Sequence, residues 1–144
     1  QSQHGNLDLD TLRVRYKAAT TTTTTQAVPV PVYEYQRGGA YGDLEFTTRD
    51  KPFDNTWVHS YWPNKPVFYA YNATGPGLVP IYEHYKASVW DHEYTTRSTP
   101  FDNSWVKNGI AFYAYPKQVS GSIAVYEHYS PSKTYHYYTT KTGD

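Results

Sequence analysis

Apolar and polar positions alternate along this chain with a period of two, in short runs interrupted by turn residues. Val32-Tyr33-Glu34-Tyr35, Ile81-Tyr82-Glu83-His84-Tyr85 and Val125-Tyr126-Glu127-His128-Tyr129 each read as a half-buried strand. Across a turn, each leads to a second run: Glu45-Phe46-Thr47-Thr48, His92-Glu93-Tyr94-Thr95-Thr96 and His136-Tyr137-Tyr138-Thr139-Thr140. Two further alternating strands, Val67-Phe68-Tyr69-Ala70-Tyr71 and Ala111-Phe112-Tyr113-Ala114-Tyr115, close the first and second units. No window sustains a 3.6-residue apolar period, and the Tyr, Thr, Pro, Gly, Asn and Asp content is strand-and-turn chemistry. The pattern predicts an all-β protein.

The lead tyrosines Tyr33, Tyr82 and Tyr126 recur at intervals of 49 and 44 residues, a period that marks a repeated unit unable to bury its apolar face alone. The third unit ends after its hairpin. The alternating segment Thr11-Leu12-Arg13-Val14-Arg15-Tyr16 is therefore expected to supply its missing last strand and to remove an exposed sheet edge. Three units are too few for a propeller, so a β-trefoil of three pseudo-symmetric repeats of about 44–49 residues is the expected fold. One domain over residues 1–144 follows, with repeats at about 28–78, 79–122 and 123–144, the last completed by 6–17. Residues 18–27, with six successive threonines, read as a linker-like loop.

Composition narrows the function. With 13 basic and 13 acidic side chains and no basic block, nothing draws the chain electrostatically to nucleic acid or anionic lipid, and no apolar stretch is long enough for a membrane helix. The chain starts at Gln1 and contains no methionine, which points to a removed leader and a secreted, extracellular protein. Cysteine is absent, so no disulfide, thiolate metal site or cysteine nucleophile exists. Asn72-Ala73-Thr74 is a glycan acceptor sequon in a Gly/Pro-rich turn.

Pairing Tyr82 with Tyr94 would set His84 opposite His92, and pairing Tyr126 with Tyr138 would set His128 opposite His136. Facing imidazoles can hold a metal with one further ligand, but their joint replacement by Tyr35 and Leu44 in the first hairpin favours packing. Neither metal nor cofactor is expected. The same register opposes Glu34 to Glu45 and Glu83 to Glu93, a glycosidase-like carboxylate pairing. Its repetition favours structural ion pairs with the cations Arg49, Arg97 and Lys141 instead. No Gly-x-Ser-x-Gly, triad ordering or phosphate loop occurs, so catalysis is not expected.

Sugar binding calls for an aromatic plane beside carboxylate or amide groups. Asp54-Asn55-x-Trp57 and Asp102-Asn103-x-Trp105 supply both, twice, and Trp90-Asp91-His92 adds a third aromatic-polar segment. Against this stands a structural reading in which Asp-Asn forms an Asx-turn while the tryptophan and the phenylalanine four residues before it, Phe53 or Phe101, cap the barrel. Trp62 and Trp90, in polar turns, are the other exposed stacking candidates.

Val79-Pro80-Ile81-Tyr82, Asp91-His92-Glu93-Tyr94-Thr95-Thr96 and Gly109-Ile110-Ala111-Phe112-Tyr113-Ala114-Tyr115 resemble the repeats of a secreted fungal and bacterial domain family of unknown function. The similarity covers about residues 28–140, with Glu34, Glu83 and Glu127 where that family usually has arginine. The resemblance implies a lectin-like β-trefoil, often attached to secreted hydrolases, that binds carbohydrate. The expected function is a secreted non-catalytic lectin with glycans or glycoproteins as partners. The alternative is a small companion subunit of a larger secreted enzyme, such as a fungal laccase or other oxidase.

Overall fold

In a computed structural model, residues 27–38, 42–61 and 63–141 are described in full, together with the backbone of Gln3–His4 and Arg13–Arg15. All regular elements among them are strands: β1 Gln3–His4, β2 Arg13–Arg15, β3 Val30–Arg37, β4 Asp43–Thr47, β5 Trp57–His59, β6 Phe68–Ala70, β7 Val79–Lys86, β8 Asp91–Thr95, β9 Val106–Ala114, β10 Ser122–Ala124, β11 Tyr126–Ser130 and β12 Tyr135–Thr139. Three hairpins, β3–β4, β7–β8 and β11–β12, form as the repeated pattern requires. β9 lies along β7, and β5 and β6 take the corresponding places on β3.

The longer first interval has a local origin. Phe46 follows Tyr33 by 13 positions where Tyr94 follows Tyr82 by 12, and Phe68 follows Trp57 by 11 where Phe112 follows Trp105 by 7. The second insertion splits into β5 and β6 what runs on as β9 in the next repeat. At the other end of the chain, β1 pairs antiparallel with β11, and β2 pairs with β10 and meets β6 at Arg15. The N-terminal backbone thus lies on strands of the third repeat. The threonine run 20–25 falls outside the described residues.

The core is built from corresponding residues of the repeats. Val32, Ile81 and Val125 form one set, Phe68 and Phe112 another, and Phe46, Tyr94 and Tyr138 a third, all at most 3% exposed. The last three rings meet edge to face, at centroid separations of 5.6, 5.2 and 5.4 Å and interplanar angles of 82°, 82° and 89°. Such pairs contribute about 0.5–1.5 kcal/mol each beyond the area they bury.

These rings also fix the hairpin register, which differs by one residue from the sequence expectation. Glu83 stands opposite Tyr94 and Glu127 opposite Tyr138, so His84 faces Glu93, Tyr85 faces His92, His128 faces Tyr137 and Tyr129 faces His136. In the first hairpin Glu34 opposes Phe46. No histidine pair and no Glu34–Glu45 or Glu83–Glu93 pair forms across a hairpin. A tyrosine hydroxyl in a dry core needs a partner. The Tyr94 hydroxyl donates to Glu83 Oε2 at 2.5 Å and accepts from the Phe46 backbone N at 2.8 Å. The Tyr138 hydroxyl donates to Glu127 Oε2 and accepts from the Tyr94 backbone N, both at 2.8 Å. Matching tyrosine to tyrosine, as the sequence suggests, would send one of each pair to the wrong face.

Removing one such hydroxyl leaves a buried backbone donor and a carboxylate without their shared partner, a loss of about 1–3 kcal/mol. Tyr94→Phe and Tyr138→Phe are each expected to lower stability by that amount in urea unfolding, with the m-value unchanged. A loss below about 0.5 kcal/mol in both would contradict the role assigned to these bonds.

Candidate functional site

Successive residues on a strand face opposite ways, so each hairpin serves two neighbours. On the second hairpin, Glu83, Tyr85 and His92 turn toward the first repeat, and Lys86, Asp91 and Glu93 toward the third. Clefts result at the repeat junctions. The first, of about 440 Å³, is walled by Arg37, Glu45, Phe53, Asp54 and Trp57 from repeat one and by Glu83, Tyr85, His92 and Asn108 from repeat two. The second, of about 450 Å³, has Lys86, Asp91, Glu93, Phe101, Asp102 and Trp105 on one side and Tyr129, Thr134 and His136 on the other. The walls correspond, with Phe53, Asp54, Trp57, Tyr85 and His92 of the first standing where Phe101, Asp102, Trp105, Tyr129 and His136 stand in the second.

A carboxylate–imidazole bond crosses each junction. Asp43 Oδ1 lies 2.8 Å from His92 Nδ1, and Asp91 Oδ2 lies 2.7 Å from His136 Nδ1, with Asp91 Oδ1 also accepting the His136 backbone N–H at 2.8 Å. Each imidazole rests on a tyrosine, Tyr85 at 4.6 Å and Tyr129 at 4.7 Å, and meets a tryptophan edge-on, Trp57 at 5.8 Å and Trp105 at 6.1 Å. In the first cleft the Arg37 guanidinium is held between Trp57 and Trp90, 4.7 and 4.4 Å from their ring centres, and pairs with Asp43 at 3.2 Å. Lys86 over Trp105, at 5.8 Å, is the looser counterpart.

The third junction departs in concert. Tyr135 stands where the aspartates are and Leu44 where the histidines are, lining a cleft of about 400 Å³ with Glu34, Gln36, Ser130 and Tyr137. Both halves of the polar pair have gone together, which avoids leaving one of them buried and unpartnered.

The predicted residues divide between these surroundings. Asp54, Trp57 and His92 come together in the first cleft, and Asp91, Asp102 and Trp105 in the second. Asp54 Oδ1 accepts from the Thr56 N–H at 2.8 Å and Asp102 Oδ1 from the Ser104 N–H at 2.8 Å, so both make Asx-turns while lining the clefts. Each also accepts the hydroxyl of the same residue, Thr56 or Ser104, and the hydroxyl bond first and the N–H bond second hold both carboxyls below the usual carboxylate range. Asn55 and Asn103 are exposed and line neither cleft. Trp57 is only 5% exposed, too buried to offer an open stacking face, and Trp105 is half-buried. Trp90 is exposed but spends its ring on Arg37. Asn72 is exposed, and Trp62 lies outside the described residues.

The sequence reading placed Phe53 and Phe101 only in the barrel cap, yet they stand 72% and 73% exposed at the two cleft mouths, each with an arginine, Arg49 or Arg97, at 5.8 Å from its ring centre. Their one sequence signal was their fixed place beside Asp54 and Asp102. The sequence reading missed the carboxylates that meet across junctions, Glu45 with Glu83 and Glu93 with Glu127. Arg49 pairs with Glu45 at 2.9 Å and Arg97 with both oxygens of Glu93 at 2.8 Å, the ion pairs expected of those cations.

Burial raises the Asp43, Glu45 and Glu127 carboxyls above the ordinary range, against the pull of neighbouring cations. For His92 burial opposes charge, yet the bond and charge of Asp43, with Glu83 and Glu45, raise it above the ordinary imidazole value. His136 is raised in the same way by Asp91, Glu127 and Glu93.

An internally repeated β-domain with polar-aromatic clefts at its repeat junctions is the class this architecture defines. The chain belongs to the DUF5648 domain family, a family of unknown function whose pattern matches residues 11–103 and, overlapping, 46–144. No curated protein and no solved structure matches it.

A raised pKa in the folded state means that the native protein holds its proton more tightly than the unfolded chain, so stability is lost as pH rises through the folded value. Asp43, Glu45 and Glu127 act from their ordinary values near 3.8–4.5 upward, and His92 and His136 from 6.5 upward. His84, lowered by burial, works the other way below 6.5. The thermal midpoint measured in chelator should therefore fall between pH 6.5 and 8.5, and His92→Gln should flatten that fall. A midpoint that climbs over this range would refute the assignment.

Proposed function

We propose that the protein is a secreted, non-catalytic carbohydrate-binding β-trefoil that uses the first two junction clefts as equivalent sites. The observation that carries this reading is the doubled cleft wall: Phe53, Asp54, Trp57, Tyr85 and His92 recur as Phe101, Asp102, Trp105, Tyr129 and His136. A pyranose offers a C–H face and a rim of hydroxyls. Phe53 and Phe101 supply exposed planes for the face, and the aspartates, buried glutamates, arginines and imidazoles supply acceptors and donors for the rim. Two weak sites on one rigid domain give avidity on a polysaccharide or glycoprotein surface. The trefoil reading draws on the contacts among β4, β8 and β12 around a common centre and on the N-terminal strands that lie on the third repeat. The exposed sequon at Asn72 suits an extracellular glycoprotein.

A second reading, a companion subunit of a larger secreted enzyme, draws on the exposed apolar side chains of Val106 and Ile110 on β9 and of Val58 on β5. Interfaces gather such side chains at their centre.

A glycan array followed by calorimetry separates the two. Phe53→Ala and Phe101→Ala remove exposed rings and should leave the fold intact. Each is expected to abolish one site, and the double variant to lose at least tenfold in apparent affinity. Absence of any glycan ligand, with co-elution of a larger enzyme from native culture fluid, would overturn the lectin reading.

A further inference from the structure

We propose that Glu93, Glu127 and His136 form a binding site for a divalent transition cation of the Zn²⁺ type at the second cleft. Each offers one donor atom, and the three donors lie within 4.8 Å of one another. They come from three strands, β8, β11 and β12, which the inter-repeat packing brings together. Glu93 is 4% and Glu127 8% exposed, so this is a built, largely dry cluster and no group of solvated surface acids.

A second observation points to a cation independently of that spacing. Metal-binding imidazoles almost always donate their other ring N–H to a carboxylate, which fixes the tautomer and orients the ring. Asp91 Oδ2 holds His136 Nδ1 at 2.7 Å, and Asp91 Oδ1 clamps the backbone N of the same residue at 2.8 Å. Nε2 is left as the nitrogen with a lone pair to give.

The charges and donors are consistent with this occupant. Asp91, Glu93 and Glu127 set against Arg97 leave two negative charges around the imidazole, which gives up its second ring proton when a cation binds. Arg97 on Glu93 and Tyr138 on Glu127 Oε2 use some lone pairs, and each carboxylate keeps others. One nitrogen and two carboxylate donors suit Zn²⁺ and its neighbours and disfavour Ca²⁺, which takes six to eight oxygens. Tetrahedral bonds of about 2.0–2.2 Å place donors roughly 3.3–3.6 Å apart, so small side-chain rotations close the site. Glu93 and His136 line the cleft of about 450 Å³, which gives a cation a route to them.

The corresponding groups elsewhere do not meet the same condition. In the first cleft Asn108 donates to Glu83 Oε1 at 3.2 Å, and at the third junction Tyr137 and Leu44 replace the glutamate and the histidine. Among the described residues the second cleft alone gathers three such donors.

The tag-free full-length chain, freed of metal by chelator, should bind one equivalent of Zn²⁺ or Co²⁺ by calorimetry. Co²⁺ should show the visible absorption of a low-coordinate site, and excess Ca²⁺ should not compete. Glu127→Gln and His136→Gln should each weaken Zn²⁺ at least tenfold, while Asp50→Asn, at an exposed carboxylate outside the clefts, leaves it unchanged. In the wild-type protein, Zn²⁺ should shift the His136 ring nitrogen resonance, a readout that needs no variant to fold. The proposal is overturned by an absence of binding up to millimolar Zn²⁺, or by a shift at other histidines with that of His136 unmoved.

Discussion

Three aromatic rings packed edge to face set the geometry of this molecule. Phe46, Tyr94 and Tyr138 each come from the second strand of a hairpin, and each presents its edge or face to the other two. Because each of the three rings touches the other two edge to face, the trio holds the second strands of all three hairpins together. The two hydroxyls extend that restraint from packing to hydrogen bonding. Each accepts a backbone N–H from the preceding repeat and donates to a glutamate of its own hairpin, which couples inter-repeat spacing to hairpin register. Phe46 has no hydroxyl, so Glu34, opposite it, lacks the partner that Glu83 and Glu127 have.

Once the register is set, the period of two along each strand distributes the chemistry. Residues that point one way from a hairpin reach one neighbour, and residues that point the other way reach the next. Asp91 and His92 are adjacent in sequence and bond in different junctions, to His136 and to Asp43. The clefts belong to pairs of repeats, and no single repeat contains one. This arrangement allows a junction to change as a unit, as the exchange of Asp and His for Tyr135 and Leu44 shows.

The parts of this architecture legible in the sequence were the local ones. Alternation and turn residues identify the hairpins, and the recurrence of Tyr33, Tyr82 and Tyr126 identifies the repeats. Register was not legible, because matching like with like ignores the requirement of a buried hydroxyl for a carboxylate. The Asp43–His92 and Asp91–His136 bonds were hidden for another reason: partners 49 and 45 residues apart share no local pattern, and only three-dimensional closure brings them together. Trp57 drew attention by its size, yet size and apolarity bury it, and the smaller Phe53 four positions earlier stays in solvent.

The two clefts share a wall but are not equal, and the reason lies in the strand that runs beside each hairpin. Repeat two carries a full second half, so β9 runs beside the first cleft and places Asn108 on Glu83. Beside the hairpin of the third repeat lies β1 instead, paired antiparallel with β11. Asn108 is a hydrogen-bond donor to Glu83, whereas the second cleft brings Glu93, Glu127 and His136 within 4.8 Å of one another. A donated N–H partly answers the charge of one carboxylate, and a gathered trio concentrates it. The same wall of Phe, Asp, Trp and Tyr therefore stands over two different electrostatic floors. Ligands that read only the wall would see two copies of one site, and ligands that read the floor would see one of each.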